Sequence, residues 1–93
     1  MNVDDFHALP GGDLIAQGLL DLAAGRQTVA SMLVEIGSPK LGQFGIIVQS
    51  TTERPEHALY GLLARESQEN AHSRYNALVR RLVSFERALA CVS

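Results

Sequence analysis

The chain has 93 residues, 46% of them hydrophobic and 19% charged, with a formal net charge of −2. A chain of that length buries about two thirds of its unfolded surface, so one core can form without disulfides, and the apolar content excludes a disordered chain. The small net charge gives no overall field for nucleic acid or membrane, and no apolar run approaches the roughly 18 residues that span a bilayer.

The opening, MNVDD, is acidic where a secretory leader is basic, which points to the cytosol. Cys91 is the only cysteine, so no intramolecular disulfide forms, and it reads as a small apolar residue in a last helical turn. Charge is unevenly spread. Asp4, Asp5, Asp13 and Asp21 precede the first Lys or Arg, whereas five of the eight basic residues lie from Arg65 onward. The simplest arrangement packs an acidic first helix beside an Arg-bearing last one.

Residues 1–12 form an N-terminal arm ending in the breaker Pro10-Gly11-Gly12, with Phe6 and Leu9 able to cover the core. Asp13 then signals a helix start, and Ile15, Gly18, Leu19, Leu22 and Ala23 mark one face, with Leu14 beside it. Gly25 stops this helix in the left-handed conformation that helix ends favour, and Arg26 sits near the negative end of its dipole. Thr28 caps a second helix carrying Val29, Met32, Leu33 and Ile36, which Gly37 ends in the same way. Ser38-Pro39 is a further cap followed by proline.

Leu41 to Ser50 contains two glycines and the β-branched run Ile46, Ile47, Val48, so helix and strand preferences conflict there. A short helix is the expectation, because a lone strand would present an unpaired edge unless another subunit paired with it. After a turn at Thr51 to Pro55, with Thr52 as cap, a further helix carries Leu59, Leu62 and Leu63.

The longest periodic stretch is the last. From His72 to Val92, the residues Tyr75, Leu78, Val79, Leu82, Val83, Glu86, Leu89 and Ala90 recur at helical spacing, opposite Arg74, Arg80, Arg81, Ser84 and Arg87. At about 100° per residue this stripe is out of phase by roughly 150° with that of Leu59, Leu62 and Leu63. A break in the polar interval Arg65 to Asn70 corrects the phase. The expectation is therefore an all-α fold: one domain over residues 1–93, a compact bundle of four to five helices organised on a long C-terminal helix.

Catalytic signatures are lacking. There is no Gly-x-Ser-x-Gly elbow, no phosphate-cradling glycine loop and no cysteine beside a histidine motif. Glu69 and His72 have the Glu-x-x-His spacing of di-iron bundles, yet a second such motif and inward glutamates are also needed, and Glu69 falls in the expected turn. His7, His57 and His72 are scattered. No catalytic, cofactor-binding or metal residue is assigned, and the chain is not read as an enzyme.

The large apolar residues exceed what a bundle of this size hides, and Phe85 falls toward the flank of the last stripe. This points to a protein–protein interaction module, forming a homodimer or binding another protein. Its interaction residues are Tyr75, Leu82, Phe85 and Leu89, with Arg74, Arg81 and Arg87 as polar rim. The alternative is a helix-turn-helix-like nucleic-acid-binding protein, built on Thr28 to Gln43 or on Leu62 to Leu82, with the arginines on phosphates. Against it stand Glu66, Glu69 and Glu86 on the same segment.

Overall fold

The computed structural model describes residues 3–49 and 52–92. A 3₁₀ turn, Val3–Ala8, precedes five helices: α1 Gly12–Ala23, α2 Val29–Ile36, α3 Ser38–Gln43, α4 Pro55–Glu66 and α5 Ala71–Val92. No strand occurs among the described residues, and the result is the all-α bundle with a long C-terminal helix that the periodicity predicts. No described helix is long and apolar enough to cross a membrane.

α2 lies at the centre. Its sequence, VASMLVEI, is apolar nearly all round, and such a helix is covered on every side. Ala30 through Glu35 are all buried, with α1, α4 and α5 packed around them. The one-sided stripe read from the sequence understates this, since Val29 and Ile36 are half-buried while Val34 is fully enclosed. α1 crosses α2 at Gly18, where an added Cβ would stand 2.9 Å from the carbonyl carbon of Ala30. Only glycine lets the two backbones approach so closely.

The α1–α2 connection is fastened by Asp21, which is 5% exposed. One carboxylate oxygen accepts bonds from Gln17 Nε2 at 2.9 Å and from Arg26 Nε and Nη2 at 3.1 and 2.8 Å. The other accepts from Thr28 Oγ1 at 2.7 Å. Thr28 Oγ1 in turn accepts from the Ser31 amide, and Ser31 Oγ from the Thr28 amide, a reciprocal capping box. Gly25 has φ +75°, the left-handed stop that was expected.

Several boundaries differ from the expectations. Gly11, not Asp13, is the N-cap of α1, and Asp13 lies in the first turn. Gly37 has φ −83° and is not a left-handed stop; it joins α2 directly to α3 and takes the cap position given to Ser38. Its lack of a side chain admits Leu82, whose Cδ1 would stand 2.7 Å from an added Cβ. α3 ends at Gln43, and Gly45 turns the chain at φ +84°. Ile46 to Gln49 are then neither helix nor strand, because Gly45 and the β-branched run together oppose helix continuation. Ser50 and Thr51 lie outside the described residues, as do residues 1 and 2 of the arm.

Thr52 is not the cap of α4, whose N-cap is Arg54 with Pro55 at the first position. The Thr52 amide instead donates to the buried Glu35 carboxylate at 3.1 Å, tying the approach to α4 onto α2. Leu59 and Leu63 are fully buried against this centre. The expected break falls at Ser67 to Asn70, where Asn70 Nδ2 donates to Ser67 Oγ at 3.2 Å, and Arg74 pairs with Glu66 across the corner.

α5 closes the bundle through Ala71, Leu82, Phe85, Glu86 and Leu89. The arm is docked onto the same layer: Phe6 is 1% exposed and meets Phe85 edge to face, with ring centroids 5.1 Å apart. The start of α1 lies against Arg81 of α5, but among the described residues no salt bridge joins the two helices, because Asp21 is held by Arg26 and Asp13 by His7.

Candidate interaction surfaces

Helical phase decides which α5 residues face inward. Taking about 100° per residue, Phe85 lies within roughly 60° of the mean direction of Leu78, Leu82 and Leu89, whereas Val83 lies over 100° away. The structure follows this: Phe85 is fully buried and Val83 is 36% exposed. Leu82 and Leu89 are also buried in the chain's own core. Tyr75 is half-buried and its ring lies 5.9 Å from that of Tyr60 on α4. Of the expected interaction residues, therefore, Arg74, Arg81 and Arg87 are exposed, while three of the four apolar ones are interior.

The surface instead carries an apolar patch that periodicity did not single out. Ile47 is 88% exposed and Leu20 59% exposed. Ile47 stands at a groove of about 290 Å³ between α1 and the segment after α3, lined also by Leu19, Leu22, Ala23, Val48 and Gln49, whereas Leu20 does not line it. The sequence signal was present in the conflicting propensities of Ile46 to Val48, which leave this segment outside regular structure, with Ile46 and Val48 packed against the core and Ile47 facing water.

α5 presents a second, chemically distinct face. Arg74, Arg80, Arg81 and Arg87 are all exposed, and the helix contains one acidic residue, Glu86. That residue turns inward. It is 8% exposed, its Oε2 lies 3.4 Å from where a Cβ on Gly37 would stand, and burial raises its carboxyl pKa, an effect that Lys40 partly opposes. Glu86 thus offers no carboxylate on the outer face for the arginines to pair with, contrary to what the linear sequence suggests. Among the described residues, Arg80, Arg81 and Arg87 have no acidic partner within salt-bridge distance.

The helix-turn-helix candidates fare unequally. α3 has six residues and buries Leu41, leaving little helix to enter a groove. α4, the turn at Ser67 to Asn70 and α5 form a longer helical corner whose second helix starts with exposed His72, Ser73 and Arg74.

Glu69 lies in the turn and His72 contacts Asn76 at 3.3 Å. Among the described residues no group of three or more His, Cys, Asp or Glu side chains is placed to hold a metal ion. Cys91 is exposed. No protein-family model, curated protein or solved structure matches the chain.

Proposed function

We propose that the chain is a protein–protein interaction module that self-associates, and that it does so through Ile47 and the groove it borders rather than through α5. The observation that supports this reading is the 88% exposure of Ile47 beside an open apolar groove. An isoleucine or leucine moved out of water contributes about 2 kcal/mol, and a two-fold interface uses each such residue twice. Pairing through α5 is disfavoured, because its largest apolar residues, Leu82, Phe85 and Leu89, are interior and two arginine faces would repel each other. The cost of association is at least about 4 kcal/mol, so the dimer is expected to be concentration-dependent.

Molar mass by light scattering, over a tenfold concentration range and at two salt concentrations, tests the proposal. Expected is a shift toward twice the chain mass that is insensitive to salt, abolished by Ile47→Asp and unaffected by Arg87→Ala. A monomer at every concentration overturns it, as does a dimer that Ile47→Asp leaves intact.

A further inference from the structure

The proposed dimer face leaves α5 free, and the chemistry of that helix points to a different partner. On its helical wheel, at about 100° per residue, Arg80 and Arg87 fall within roughly 20° of each other, and so do Arg74 and Arg81. The two rows lie about 100° to 140° apart. Within each row the residues are seven apart, a rise of about 10.5 Å. Ser73, Ala77 and Ser84 occupy the strip between the rows, and from Ser73 to Ala88 that arc carries no aromatic or large aliphatic side chain.

We propose that this face binds duplex DNA, with α5 lying along the major groove and the two arginine rows reaching the phosphates on either side. Charge complementarity carries the assignment: the charged side chains that α5 itself exposes along this arc are all arginines, since the helix's one carboxylate is turned into the bundle. Arg74 already holds Glu66 and would exchange or share that partner. Asp13 lines the same cavity as Arg81, but its carboxylate is engaged by His7. A protein partner would require apolar or aromatic anchors between the charges, and here the intervening side chains are small. The major groove, about 12 Å wide, admits an α-helix, whereas the deep major groove of duplex RNA does not.

Three or four phosphate contacts of this kind give sequence-independent binding with a dissociation constant of about 1–100 µM. The logarithm of the binding constant should fall against that of salt concentration with a slope of about −3. The experiment is fluorescence anisotropy of a labelled 20-base-pair DNA duplex titrated with the full chain between 25 and 200 mM salt. Duplex RNA, single-stranded DNA and polyglutamate serve as parallel probes. The double variant Arg80→Glu/Arg87→Glu is expected to lose at least tenfold in affinity and to flatten the salt slope by about 2, with an unchanged circular-dichroism spectrum.

No binding at 25 mM salt overturns the proposal. So does a double variant that stays folded and binds as well as the parent, or binding to duplex RNA, single-stranded DNA or polyglutamate as tight as to duplex DNA. Should the double variant fail to fold, Arg80→Gln/Arg87→Gln is read by the same criteria. Molar mass reports on Ile47 and anisotropy on α5, so this inference and the self-association proposal stand or fall separately.

Discussion

Gly18 and Gly61 both lie inside helices, and replacing each by alanine separates the packing of α1 on α2 from simple helix preference. Alanine is favoured over glycine by about 1 kcal/mol in an exposed helix interior. At Gly61 on α4 nothing lies within 4 Å of an added Cβ, so Gly61→Ala should gain nearly that amount. At Gly18 the added Cβ would stand 2.9 Å from the Ala30 carbonyl carbon and would press on the Ala30 carbonyl oxygen and Val34 Cγ2 as well. Two of those atoms are backbone of the buried α2, which cannot move aside as the tip of a side chain can. Overpacking of this kind costs about 3 kcal/mol, the upper part of the usual range. After subtracting the helix preference, Gly18→Ala is destabilised by roughly 2 kcal/mol. The two substitutions thus differ by about 3 kcal/mol in opposite directions, or some 12 to 24 °C in melting temperature for a domain of this size. Urea denaturation followed at 222 nm, at one fixed protein concentration, measures both. Stabilisation by both substitutions would mean that α1 and α2 do not approach at Gly18, and destabilisation by both would place Gly61 in a packed site.

Phe85→Ala should cost about 3–5 kcal/mol by leaving a cavity beside Phe6, whereas Val83→Ala on the outer side should cost under about 1 kcal/mol; equal losses in urea melts would contradict the helical phase described for α5. Asp21 has its carboxyl pKa lowered by hydrogen bonds from Thr28, then Arg26 and Gln17. Its contribution is therefore full above the unfolded value of about 3.9 and is lost as pH falls through the lower folded value. Asp21→Asn should flatten that acid limb of the stability profile, and an unchanged limb would argue against the clasp. Glu86 has the opposite sign, because burial raises its pKa: the ionised form opposes folding at neutral pH and is relieved as pH falls through the raised folded value toward about 4.3. Glu86→Gln is expected to be the more stable protein at pH 7 and to lose this pH dependence, and a lower urea midpoint at pH 7 would show that the carboxylate has a stabilising partner.

What the sequence made legible was mostly local. The capping role of Thr28, the left-handed stop at Gly25 and the break before Asn70 follow from interactions within a few residues, and each is found. The Glu86 and Phe85 positions were harder, because a broad stripe on a long helix admits two centrings. Residue spacing alone left Val83 inside and Phe85 at the flank. Docking of Phe6 from the arm settles the centring by adding an aromatic partner on the Phe85 side, a contact between residues 79 apart in the chain that no periodicity encodes. Gly37 is a similar case: its side-chain vacancy serves Leu82 on a distant helix, whereas the sequence offered only its generic role as a helix terminator. The Thr52 amide bond to Glu35 is likewise non-local.

The same rotation of α5 accounts for the separation of its two surfaces. Turning Phe85 inward also carries Glu86 toward Gly37 and Lys40, since adjacent positions differ by only about 100°. The bundle thereby gains an aromatic pair, Phe6 with Phe85, at the expense of burying a carboxylate. A carboxylate on the outer arc would instead have paired with a neighbouring arginine at three or four residues' distance, as Arg87's position relative to Arg80 and Arg81 allows for Ser84. Ser84 to Glu recreates that arrangement without touching the core, because Ser84 is exposed between the arginine rows. If the acid-free arc is what binds duplex DNA, this single change should weaken the anisotropy signal several-fold while leaving stability within about 0.5 kcal/mol. Undiminished binding by Ser84→Glu would remove the arc from the explanation even if the arginine variants bind poorly for other reasons.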